Sequence, residues 1–139
     1  MEIVKMNENR LNVEKLKKYW LIEAEEALQV AEHLVEKDDY SYALFFGHLA
    51  VEKILKALYV AHHGEHAPPL HNLLRLAKTA GLNPDEVKVD ALIRITAFNI
   101  EARYPDLKRA FRQKCTAEFT NNQMDIIKEV FQWVRSQLP

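Results

Sequence analysis

The sequence predicts an all-α protein, an up-and-down four-helix bundle with an additional short helix. Three observations lead there. Apolar residues recur at spacings of three and four over long stretches. Helix breakers are scarce, with three glycines and five prolines in 139 residues. No segment alternates apolar and polar side chains as a half-buried strand does. Long helices joined by short connections pack as a bundle.

The first helix is predicted from about Asn12 to about Lys37, because Leu16, Trp20, Ala24, Ala27, Ala31 and Leu34 fall on one stripe. Asp38 and Asp39 can cap the second, from about Tyr40 to His63. It carries Ala43, Phe46, Ala50, Ile54, Ala57 and Ala61 on one row and Leu44, Val51, Leu55 and Leu58 on another. A helix apolar over so much of its circumference belongs at the centre, where Gly47 and its alanines permit close approach of neighbours. Gly64 and Pro68-Pro69 end it.

A short third helix is predicted over His71–Ala80, closed by Gly81 where a left-handed cap is needed. Asn83-Pro84-Asp85-Glu86 restarts the chain, with Asn83 as cap and proline at the first helical position. The fourth helix places Val87, Ala91, Ile95, Phe98 and Ala102 on one face and ends at Tyr104-Pro105. Thr116 or Thr120 caps the last, whose stripe is Met124, Ile127, Phe131, Val134 and Leu138.

Length, absence of repeats and absence of a Pro-, Gly- or Ser-rich linker predict one domain over 1–139. A net charge of -1 and a pI near 6.6 provide no global field toward nucleic acid or an anionic membrane, so any polyanion contact must be local. Met1 to Lys18 is charged throughout and resembles no export signal, and no apolar run approaches the ~20 residues that cross a bilayer. The single Cys115 leaves no disulfide framework or thiolate set for zinc, and a cytoplasmic setting is expected.

Glu52-Lys53 followed by Lys56-Ala57, His71 with Leu73-Leu74, and Ala102-Arg103-Tyr104-Pro105-Asp106 follow one another in an order that resembles the HEPN domain family, over roughly residues 12 to 138. The resemblance implies a bundle of four or five helices, frequent homodimerisation, and roles around nucleotides and RNA. For some members it also implies a nucleotidyltransferase partner in a toxin-antitoxin-like pair. Ribonuclease members carry Arg, four to six arbitrary residues, then His. Here Arg103 is followed by Tyr104 to Ala110 with no histidine, and no histidine follows His71 anywhere. Proton transfer near neutral pH normally uses histidine, with its pKa of about 6.5. The expectation is therefore a non-catalytic module with no catalytic residue, no cofactor and no metal.

The candidate nucleotide- or RNA-binding residues are Lys53, Lys56, His71, Asn99, Arg103, Tyr104, Lys108, Arg109 and Arg112. Asn99 and Arg103 are four apart and share a helix face, offering a fork of donors to phosphate and an amide to base or ribose, although Arg103 can equally cap the helix or pair with Glu101, Asp106 or Glu52. The segment Arg103–Lys114 has a local charge of about +4 with Tyr104 and Phe111 interleaved, which suits phosphates and stacked bases; the plainer reading is a solvated connecting loop. Lys53 and Lys56 can supply charge to a nucleotide pocket with His71, or bury their stems and keep their heads in water.

His62-His63-Gly64-Glu65-His66 is read as an exposed loop, since Gly64 breaks the helix that would align ligands. No glycine-rich phosphate loop is present. Two alternatives stay open: a ribonuclease with an altered site of Arg103, Tyr104, Asp106 and His71, and a dimerisation or scaffold module only.

Overall fold

In the computed structural model, residues 12–139 are described. They form six helices and no strand: α1 (Val13–Glu36), α2 (Tyr40–His63), α3 (Leu73–Thr79), α4 (Glu86–Glu101), α5 (Pro105–Lys114) and α6 (Ala117–Ser136). The four long helices make the up-and-down bundle, and the expected short helix is α3. The additional helix, α5, occupies the stretch expected to be a connecting loop.

Local chemistry sets most of the boundaries. The Asn12 side chain accepts from the Lys15 N–H at 3.1 Å and starts α1. Asp38 takes a left-handed φ of 63° in the tight turn, and Asp39 holds the N-cap position of α2 without a side-chain cap bond. Gly64 closes α2 with φ 67°, and Gly81 turns the chain after α3 with φ 93°.

Two starts differ from expectation. α3 begins at Leu73 with Asn72 as its cap, so His71 lies outside the helix. Asp85, not Asn83, caps α4, accepting from the Lys88 N–H at 2.9 Å. Thr116, one of the two expected caps, starts α6, and Thr120 is fully buried within that helix. The third difference is α5 itself. Pro105 sits in its first turn, Asp106 follows, and Arg112 and Lys114 fill the last turn, the order that matches the helix dipole.

α2 is the centre, packing against α1, α3, α4, α5 and α6. Its Leu44, Val51, Ile54 and Leu55 are fully buried, each worth roughly 1.5–3 kcal/mol of transfer free energy. A Cβ built on Gly47 would lie 2.6 Å from Ile127 Cδ1, so glycine is what lets α6 cross α2 this closely. Glu32–Lys128 and Glu25–Arg135 ion pairs join α1 to α6 in antiparallel sense. α4 buries Leu92, Ile95, Phe98, Asn99 and Ala102. That row is rotated slightly from the predicted stripe, which leaves Val87 78% exposed.

Candidate functional site

The nine sequence-predicted residues fall into two groups. The first centres on a residue not among them, Glu52, which is 5% exposed midway along α2. Its Oε1 accepts from His71 Nδ1 at 2.7 Å, and its Oε2 accepts from Lys56 Nζ at 3.3 Å. The Lys56 ammonium also lies 5.2 Å from the centroid of the Trp20 ring. Lys53, next along α2 and on the α1 side, donates to Glu23 at 3.3 Å. Lys53, Lys56 and His71 therefore each meet a carboxylate of the chain itself.

His48, fully buried one turn before Glu52, belongs to the same cluster. Its Nε2 lies 3.2 Å from the His71 carbonyl oxygen; since a carbonyl only accepts, Nε2 carries the proton. Nδ1 is then the bare nitrogen, and it has no partner. Burial pushes the His48 pKa down, reinforced by the charges of His71 and Arg103 and opposed by the bond to the His71 carbonyl and by the Glu52 charge. His48 is thus held neutral. The His71 ring itself is 61% exposed, with Nε2 left free by the bond to Glu52.

Asn99 is buried on the side of α4 toward the core, and Arg103 sits one turn further on, where its Nε–H donates to the Asn99 carbonyl at 3.1 Å. Arg103 caps the end of α4 and remains exposed. Tyr104, exposed, occupies the N-cap position of α5.

The second group is on α5. Pro105, Lys108, Arg109, Arg112 and Gln113 line one open depression of about 630 Å³, their spacings of three and four placing them on one helix face. Lys108 Nζ and the Arg112 guanidinium lie 5.5 Å and 5.7 Å from the ring centroid of Tyr42 on α2, and Arg112 donates to the Tyr42 hydroxyl at 3.3 Å. A hydrogen bond from Lys108, its charge and that of Arg112 hold the Tyr42 phenol below its ordinary pKa. Phe111, on the opposite face, is buried against Phe98 with centroids 5.6 Å apart, and so fixes which side of α5 looks outward. Among the described residues, no carboxylate comes within ion-pairing distance of Arg103, Lys108, Arg109, Arg112 or Lys114.

Sequence reasoning missed His48, Glu52, Tyr42 and Gln113 as members of these groups. Glu52 carries a signal, lying four residues from both His48 and Lys56. Tyr42 carries none, because its partner Arg112 is 70 positions away.

Of the run His62-His63-Gly64-Glu65-His66, His62 and His63 form the last turn of α2, which ends at His63 as its predicted bounds have it, and His63 bonds the Thr79 carbonyl. Among the described residues, no group of three or more His, Cys, Asp or Glu is arranged to hold a metal ion. Burial pushes the Cys115 thiol up to about 11, the state of a packed, inert cysteine. No described helix is long and apolar enough to cross a membrane.

Comparison with known proteins agrees with this architecture. The TT1696 protein of Thermus thermophilus, known from a crystal structure, superposes with a TM-score of 0.76 at 26% identity, covering 88% of this chain and 98% of that one. No curated protein matches the chain. The HEPN domain profile matches residues 17–137. With nearly all of the described bundle inside that match, the chain belongs to the HEPN domain family.

Proposed function

We propose that this HEPN domain is a non-catalytic nucleotide- or RNA-binding module that works in the cytoplasm as a homodimer beside a nucleotidyltransferase, in a toxin-antitoxin-like pair. One observation carries the binding part. Lys108, Arg109 and Arg112 share an exposed helix face with no carboxylate opposite, next to the aromatic ring of Tyr42. An unneutralised row of cations beside an aromatic ring is the arrangement that attracts phosphates and tolerates a stacked base. Arg103 and Tyr104 extend that surface toward α4. Lys53 and Lys56 contribute less, since Glu23 and Glu52 already match their charges. The non-catalytic part rests on the missing histidine downstream of Arg103.

The test is fluorescence anisotropy with a panel of nucleotides and short single-stranded RNAs at two salt concentrations, with cleavage followed on the same RNAs. Salt-sensitive binding that is lost in Arg112→Ala and kept in Lys53→Ala is the expected result. Absence of binding at low salt would leave only the scaffold reading. Coexpression with the nucleotidyltransferase of a neighbouring gene, followed by size exclusion, tests the partnership.

The Glu52–His71 contact favours a second reading. A carboxylate that holds Nδ1 of an exposed imidazole orients the ring for proton transfer at Nε2. RNA cleavage abolished by both His71→Ala and Arg103→Ala would make the altered-site ribonuclease the correct reading.

A further inference from the structure

The outward face of α4 is apolar without being covered. Ile93 and Ile100 are 55% and 45% exposed, and Ala97 lies between them at spacings of four and three. Tyr104 and Leu107, also exposed, follow just beyond the end of the helix. A lone exposed isoleucine needs no explanation, but a row of them with a small residue at its middle does.

The charges beside this row limit what can cover it. Arg94 and Glu101 are seven residues, about two turns, apart and lie on the same flank of the stripe. Neither is ion-paired among the described residues. When two copies of a helix pack antiparallel about a two-fold axis perpendicular to them, each flank meets the same flank of the partner, and positions equidistant from the axis face each other. An axis passing beside Ala97 sets Arg94 against Glu101 of the second copy, and Glu101 against its Arg94. It also brings the two Ala97 methyl groups nearly opposite, with Ile93 of each copy close to Ile100 of the other. The face is complementary to itself in shape and in charge, the condition for an isologous interface.

We infer that α4 docks against α4 of a second copy of this chain, antiparallel about Ala97, through Ile93, Ala97 and Ile100 and two reciprocal Arg94–Glu101 ion pairs. The inference rests on the homodimer reading above and goes beyond it by naming the surface, the register and the pairs. It also places Arg103, near the end of each α4, on both sides of one continuous assembly.

Sedimentation equilibrium of the full chain at a series of concentrations is the test. The parent is a dimer; Arg94→Glu alone and Glu101→Arg alone each weaken association at least tenfold, and the double variant R94E/E101R restores it. Ala97→Cys, whose thiols would meet at the axis, forms a disulfide-linked dimer on mild oxidation, while buried Cys115 stays reduced. A parent that is monomeric throughout overturns both this inference and the homodimer reading. A dimer indifferent to the single reversals, or to which the double variant is not restored, overturns the α4 geometry alone. RNA affinity, measured separately on α5 variants, bears on neither.

Discussion

At the junction of α2 with the start of α3, the buried Lys56 and the largely exposed His71 ring both end on the buried Glu52, each within 3.3 Å of one of its carboxylate oxygens. On α5, Lys108, Arg109 and Arg112 stand on an open face, two of them against an aromatic ring and none against a carboxylate. Both regions are basic in sequence, and their physics is opposite. A buried charge is tolerated only when it is paired, so cations near the core are committed to structure. An exposed cation can stay unpaired at little cost, and its field is then available to a phosphate. The contrast separates cations that hold the bundle together from those free to bind.

Breaking the buried cluster should give the largest effect. Glu52→Ala leaves the Lys56 ammonium buried without its carboxylate and should cost about 3–5 kcal/mol of stability. Urea unfolding followed by circular dichroism measures it; a loss below about 1 kcal/mol would mean that water enters the cluster and the contrast with α5 is false. Gly47→Val tests the same helix at its crossing with α6. The added carbon atoms meet Ile127, and a cost of about 1–3 kcal/mol is expected by the same assay.

Acid should weaken the buried region selectively. The folded His48 pKa lies below its ordinary value because of burial, so the unfolded chain takes up that proton first. The stability His48 contributes is complete above the unfolded value of about 6.5 and is lost as pH falls toward its folded pKa. Stability measured from pH 8 down to pH 5 should decline, and His48→Gln should flatten the part of the decline that begins near pH 6.5.

The smallest effect on stability belongs to α5. The triple reversal K108E/R109E/R112E should shift the unfolding free energy by no more than about 0.5–1 kcal/mol, because the side chains are on the surface and lose only their contacts with Tyr42. Yet it should lower RNA affinity and flatten the dependence of log K on log salt by about 2 units, as expected for losing about three phosphate contacts on a single strand. A large stability loss with an unchanged salt slope would invert the assignment of the two regions.

The long helices are legible because each satisfies its periodicity, its cap and its terminator locally. α2 is recognisable as the central element from its two apolar rows alone, and Gly47 from its position among them. Val87 falls on the wrong side because a stripe inferred from spacing is uncertain by the fraction of a turn that decides which of two neighbouring residues faces the core. α5 escapes the periodicity reading although Pro105 and the acid-to-base order of its ends are start and stop signals. Its single buried side chain, Phe111, gives no repeating stripe, and its helical state comes with the docking of that ring on Phe98.

For the candidate site, residue types and charge are readable along the chain and partners are not. Arg103, Lys108, Arg109 and Arg112 are identifiable as a basic run, and the missing histidine after Arg103 excludes the usual ribonuclease pair of the family. Whether a lysine is free or committed depends on Glu23 and Glu52, which reach Lys53 and Lys56 from a neighbouring helix or one turn away. His71 lies outside α3, whose cap is Asn72, and its imidazole is left to Glu52, 19 positions back. What the sequence by itself determined is the helical class, the central helix and the local supply of charge, because these follow from spacing and composition along one strand of chain. What only the tertiary structure decided is which charges are neutralised and which helix face is left bare, because electrostatic pairing falls off with distance through space and the bundle brings together residues that the chain holds far apart.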